Sequence, residues 1–347
     1  MRARLPRTLW GRVLLVAVLF AFAVGMLWWR TPSWSTLAGV FTAVSWWWIV
    51  AAMGINLLSV VARSFAWRTV VVQALPTTVP FARVFSAFAI GLLGNATLPA
   101  RAGELARVAV LTRRLPRGRG YTATLLGTVF THRLFDVIPA LLLVVYVLVA
   151  ARIPEWALTS LMVAAVVGCL LLVVALIVSR LRRPKVQELS RLRKVVAMAR
   201  LGLDVLRSPT AAAVAIVFQC VGWFLQLLAV WVAMRAFGID APLAAAGLVL
   251  LLMNVATIFP LWPGNIGLVQ AAVALPLVSY GVAYTTGFAY GLGLQMLEMS
   301  VGIGIGLLFL AREGLSFAML KGIRPEAAAD EPPVADPTPV RARSGLA

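Results

Sequence analysis

The chain is 347 residues long, 62% hydrophobic and only 12% charged, with a mean hydropathy of +0.95. That balance excludes an ordinary soluble domain and indicates an all-α polytopic membrane protein. The net charge of +19, from 31 Lys+Arg against 12 Asp+Glu, would suit nucleic acid in a soluble protein. Here the basic residues fall in loops between apolar runs, where topology and anionic lipid account for them, so nucleic acid is not an expected partner.

Met1 to Arg12 carries Arg2, Arg4, Arg7 and Arg12, a cytoplasmic flank by the positive-inside rule. Leu9 to Trp29 has no small-residue cleavage site after it, and its Trp-rich end reads as a membrane interface. It is therefore a retained first span, about Val13–Trp29, followed by an outer turn at Arg30 to Ser35. Span two, about Val44–Val61, returns inward, and Arg63, Arg68 and Gln73 to Pro76 mark the inner side, with both arginines read as snorkelling anchors and a ligand role as the competing reading.

Phe81 to Leu98 is apolar but interrupted by Asn95, Thr97 and Pro99. Pro99 breaks a helix and Gly103 loosens the backbone beyond it. A helix resuming at Arg101 would offer a positive N-terminal end, with Arg101, Glu104 and Arg107 spaced by three on one side. Arg113, Arg114, Arg117 and Arg119 follow, so the segment leaves from and returns to the inner side as a re-entrant hairpin.

Span three, about Tyr121–Val149, contains His132, Arg133 and Asp136. Arg133 lies about 18 Å into it at 1.5 Å per residue, near the bilayer centre, and Arg133 and Asp136 can pair at i,i+3. Ile153 to Trp156 is an outer turn and about Ala157–Val178 is span four. From Arg180 to Arg207 nine Lys/Arg interleave with apolar residues at three- to four-residue steps, a basic amphipathic helix over about 186–207 on the inner leaflet.

Span five, about Thr210–Met234, places Gln219, Trp223 and Gln226 on one face. After the outer turn Gly238 to Pro242, Leu243 to Phe259 enters and meets P-L-W-P-G-N-I-G, and Ile266 to Ser279 climbs back, a second re-entrant hairpin. The last span, about Thr286–Leu310, holds Gln295 and Glu298 near its middle, and Arg312, Lys321 and Arg324 mark a cytoplasmic end. The tail over 325–347 is expected to be disordered. Cys169 and Cys220 lie in apolar runs and read as buried, inert thiols.

The expected fold is thus six full transmembrane spans plus two re-entrant helical hairpins, with cytoplasmic termini, in a transmembrane domain over 1–320. Its halves, about 9–150 and 156–312, repeat one pattern in opposite orientation, and each carries P-x-x-x-G: Pro99 with Gly103, and Pro263 with Gly267 beside Gly264 and Asn265. Broken helices of inverted repeats commonly build the substrate site of secondary transporters.

Leu98–Arg107 (L-P-A-R-A-G-E-L-A-R), Arg133–Asp136 (R-L-F-D) and Pro263–Ala272 (P-G-N-I-G-L-V-Q-A-A) together resemble the lysylphosphatidylglycerol synthase transmembrane family, a flippase-like domain. The resemblance covers roughly Leu9 to Arg312 and implies a stand-alone member in which a short tail stands where bifunctional members have an aminoacyl-transferase domain. Family members often have Glu where His132 stands, and an acid where Gln270 stands.

These readings lead to an expected lipid translocase of the cell (inner) membrane, moving an anionic or phosphate-headed amphiphile by alternating access between the hairpins. Arg101 would bind the headgroup, Glu104 gate it, and Arg133, Asp136 and Glu298 line the path, with Gln295, Asn95 and Asn265 beside it. For Arg101 and Glu104 the competing reading is a salt bridge closing the hairpin; for Arg133 and Asp136, a structural buried pair. Glu298 and Gln295 take a proton or cation, or pair with Arg133; His132 is a satisfied helix histidine or a proton switch; Arg107 is an inner-face anchor. Neither a cofactor nor a metal is expected, and no nucleophile elbow or phosphate-binding loop points to an enzyme. The alternative is a non-transporting partner of a lipid- or glycan-modifying membrane enzyme; anionic membrane lipids and a homo-oligomer complete the expected partners.

Overall fold

A computed structural model describes residues 34–97, 102–115, 121–180, 208–258 and 265–314, and among them there are eleven helices and no strand. In chain order these are α1 (Trp34–Thr42), α2 (Trp46–Ala74), α3 (Phe81–Thr97), α4 (Gly103–Arg113), α5 (Thr122–Phe135), α6 (Val137–Ala150), α7 (Glu155–Arg180), α8 (Pro209–Ala236), α9 (Leu243–Ala256), α10 (Leu268–Val278) and α11 (Tyr284–Arg312). Five stretches are long and apolar enough to cross a membrane: Trp46–Ala74, Thr122–Ala150, Glu155–Ala175, Pro209–Ala236 and Tyr284–Arg312. They coincide with five of the six expected spans; the sixth, Val13–Trp29, lies outside the described residues, as do the basic segment 186–207 and the tail.

Three differences have physical causes. Helix α1 stands where the end of an outer turn was expected, because Trp34 to Thr42 is apolar enough to form a helix of its own. Helix α2 does not stop at Val61: it runs thirteen residues further, since Arg63 and Arg68 find partners inside the fold, Gln226 for Arg63 and the Val79 carbonyl for Arg68. Cys169 is exposed and Cys220 half-buried, correcting the buried-thiol expectation. In a membrane chain an apolar neighbourhood marks lipid-facing surface as readily as core.

The described chain forms two compact units. The first takes the described residues up to Arg63, then Asp136–Val173 and Gln219–Gly304; the second takes Ser64–Phe135, Val174–Phe218 and the described residues from Ile305.

In the first unit, α9 is the centre. Its 14 residues span about 21 Å at 1.5 Å per residue, short of a bilayer core of about 30 Å. Every residue from Ala244 to Met253 is buried, as expected of a helix that is apolar all round. A Cβ on Gly247 would lie 2.9 Å from Val147, so this glycine lets α9 approach α6. On α11, Gly287 and Gly291 face Ala274 and Gln270 of α10 at the same close range, the small-residue packing that membrane helices use. Helix α8 ends where Gly238 takes a positive φ of 66° and the Ile239 N–H bonds back to the Met234 carbonyl.

In the second unit, α3 and α4 form a tight antiparallel hairpin. Gly94 faces Gly103, and Gly91 faces the Arg107 side chain. Gly103 has ordinary helical backbone; it must be glycine because a Cβ there would overlap the Gly91 carbonyl oxygen and stand 2.5 Å from the Asn95 nitrogen. The hairpin ends are clasped at Glu313, which accepts from the buried Ser86 hydroxyl (2.8 Å) and from Arg114 Nε (2.7 Å).

Candidate functional site

Two polar clusters interrupt these apolar units. In the second unit, α4 begins at Gly103 and carries Glu104 in its first turn, where the helix dipole favours a carboxylate. Glu104 accepts from Arg133 of α5 (Nε, 2.9 Å) and is also paired with Arg107 one turn along its own helix. Arg107 is only 3% exposed, its guanidinium 4.8 Å from the Trp67 ring centre and 5.6 Å from that of Phe88. It is therefore a buried member of the cluster, which corrects the inner-face anchor. The Trp67 indole in turn donates to Thr128 (3.2 Å), fixing the ring on which Arg107 lies.

Two guanidiniums thus meet one carboxylate. Helix α4 lies outside the five spans; burial pushes the Glu104 carboxyl up, but Arg107 and Arg133 outweigh it and hold the group well below the usual carboxylate range. His132 is buried, packed edge-on against Phe88 at 5.8 Å, and its charge when protonated would favour Glu104 as well. Arg133 differs from the rest: its side chain is 45% exposed while its bonded edge is held by Glu104.

In the first unit a layer of polar groups lies at the helix midpoints. Asp136 is at the centre of the Thr122–Ala150 stretch and Glu298 at the centre of α11. Pro139, which cannot donate to Phe135, breaks the stretch at Asp136, and the aspartate heads α6 without capping it. Its carboxylate accepts instead from Gln219 and from the Trp223 indole (2.8 Å) of α8. Gln226, further along the same face, donates to Glu298 (3.1 Å) and accepts from Arg63 of α2 (2.6 Å).

The second hairpin adds a third link. Asn265, at a φ of 45°, donates to the Ala256 carbonyl (2.8 Å), and Gly267, at 93°, starts α10. Fully buried Gln270 accepts the Gly267 N–H (2.5 Å) and donates to Gln295 of α11 (2.6 Å). Gln270→Leu strips that acceptor and that donor from the interior; an unfolding titration in detergent should show a loss of about 1–3 kcal/mol, the usual consequence of an unsatisfied buried polar group.

Of the sequence candidates, Glu104 and Arg133 are brought into contact, Asn95 lies against Gly103, Asp136 takes partners on α8, Glu298 meets Gln226, and Gln295 meets Gln270. Arg101, Pro99, Pro263 and Gly264 lie outside the described residues. Arg63 and Gln270 were not chosen from the sequence. The signal for Arg63 was present: Gln219, Trp223 and Gln226 share a face that needs polar partners, and an arginine near the middle of a neighbouring span is the strongest donor available.

Fold and clusters together define a multi-pass, all-helical membrane protein with charged groups on broken helices. The chain belongs to the family described as the lysylphosphatidylglycerol synthase TM region, whose match covers residues 9–306. Neither the curated proteins nor the solved structures contain a match to it.

Proposed function

We propose that the protein is a lipid translocase of the cell (inner) membrane, moving an anionic or phosphate-headed amphiphile by alternating access through its two helical hairpins. The observation that carries this reading is the Glu104 carboxylate held between Arg107 and Arg133 on the first hairpin. A charge inside a span is expensive against lipid and is tolerated where it faces protein or a polar cavity. Arg133 lies at such a position, and its side chain is 45% exposed, which leaves an open side that a headgroup can reach. An incoming phosphate competes with Glu104 for Arg133, a strong charge-assisted partner for the guanidinium, while buried Arg107 keeps the displaced carboxylate in place. Glu104 is then the gate and Arg133 the headgroup ligand, with Arg101, three residues before Glu104 in the sequence, as a second cation.

Family membership supports the membrane setting, and the order of hairpin and following span in both halves supports an inverted repeat with re-entrant hairpins; the arginines at the two ends of the sequence support cytoplasmic termini. The test is a proteoliposome assay with acyl-chain-labelled phosphatidylglycerol and dithionite quenching from outside. Wild-type protein should equilibrate the leaflets faster than empty vesicles, and folded Arg133→Ala should slow this at least about tenfold, equivalent to about 1.4 kcal/mol. Equal rates for the two proteins would overturn the assignment.

A further inference from the structure

We propose that Arg63, Gln226 and Glu298 form a second recognition site, one that selects a net-neutral headgroup carrying both a phosphate and an ammonium. The ligand being a lipid rests on the translocase reading; the site's charge pattern does not.

The argument starts from what each group can do. A guanidinium only donates and a carboxylate only accepts, so the Gln226 amide between them has one possible orientation. Its oxygen takes the Arg63 proton at 2.6 Å and its nitrogen donates to Glu298 at 3.1 Å. A positive and a negative group are thereby kept one amide apart, and the amide dipole points its negative end at Arg63 and its positive end at Glu298. A phosphate and an ammonium joined by a short bridge present the same pattern with full charges. A purely anionic headgroup gains Arg63 but meets the Glu298 carboxylate; a purely cationic one gains Glu298 but meets Arg63. The zwitterion satisfies both.

The cation is built to stay in place. Its stem lies on Gly222, where a Cβ would come within 2.6 Å of Arg63 Cγ, and its guanidinium stands 5.4 Å from the Trp223 ring centre. That ring is itself fixed by Asp136, which accepts the indole N–H at 2.8 Å. Gln219, Gly222, Trp223 and Gln226 recur at three- and four-residue steps, so α8 presents the seat, the ring and the amide on one face. Arg63, Gln226 and Glu298 are each partly exposed, and all stand within a few residues of the midpoints of long helices, the depth at which transporter sites are found.

The experiment measures thermal stabilisation of the purified full chain carrying Arg133→Ala, which removes the first headgroup ligand, in detergent by dihexanoyl phosphatidylethanolamine and, separately, by dihexanoyl phosphatidylglycerol. Phosphatidylethanolamine should bind at least about tenfold more tightly. Glu298→Gln should abolish that preference by raising affinity for phosphatidylglycerol and lowering it for phosphatidylethanolamine. Gln226→Ala, which keeps both charges and removes the competing amide, should retain the preference and covers the case in which Glu298→Gln fails to fold. Equal or tighter binding of phosphatidylglycerol in the Arg133→Ala background, a preference unaltered when Glu298→Gln is added, or its loss when Gln226→Ala is added would each overturn the proposal. Selective binding without lipid movement in vesicles would leave this site standing and remove the translocase; lipid movement without selectivity would do the reverse.

Discussion

Gly103→Ala should unfold the protein at markedly lower denaturant than wild type and abolish any activity that depends on the first hairpin. The added methyl group overlaps the Gly91 carbonyl oxygen and presses on the Asn95 nitrogen, both backbone atoms of a packed helix that no rotamer change can move. Overpacking of an ordinary core costs about 1–3 kcal/mol, and a clash with backbone belongs at the upper end of that range. Gly54→Ala is the matched control: Gly54 lies in α2 with nothing within 4 Å of the added Cβ, so this change should be neutral or raise stability by up to about 1 kcal/mol. Chemical unfolding followed by tryptophan fluorescence would compare the three proteins. Equal midpoints for Gly103→Ala and Gly54→Ala would show that the hairpin is not packed on this glycine.

Glu104→Ala should be as damaging for a different reason. It leaves the guanidinium of Arg107, 3% exposed, and that of Arg133 beside each other without the carboxylate that joins them. Removing one partner of a buried ion pair costs about 3–5 kcal/mol, because the remaining charge stays desolvated. Replacing the pair by apolar groups of similar volume is far milder, so Glu104→Leu combined with Arg107→Met should recover most of the loss in the same unfolding measurement. Failure of the double variant to recover would mean that Glu104 acts mainly through Arg133 rather than through Arg107.

How far the sequence could be read depended on the kind of force involved. The long helices were legible because hydropathy over about twenty residues is a sum, insensitive to any one contact. That Glu104 and Arg107 share one side of a helix was legible from their three-residue spacing; that Arg107 is buried there and paired with Glu104 was not. Arg63 was misplaced because a drop in hydropathy looks like the edge of a membrane, whether the charge meets water or, as here, a glutamine and an indole from another helix. Gly103 was singled out for backbone freedom, whereas the structure uses its lack of a side chain; only the packing of α3 distinguishes the two. Cys169 and Arg107 show the same ambiguity from opposite sides, one apolar context being surface and one charge being core.

The distance along the chain between Arg63 and Gln226, 163 residues, has a consequence for how the protein is made. A span threaded into the bilayer during synthesis must enter with whatever partners already exist. When α2 leaves the ribosome, neither α8 with its amide and indole nor α11 with Glu298 has been synthesised. Arg63, three residues from the middle of α2, therefore enters before Gln226, Trp223 and Glu298 exist, and an arginine at the centre of a span opposes insertion by about 2.5–3.5 kcal/mol on biological scales. The strongly apolar residues around it, with a mean hydropathy of 1.7 for the span, are what carry it in, so that later helices are drawn to a charge already waiting for them.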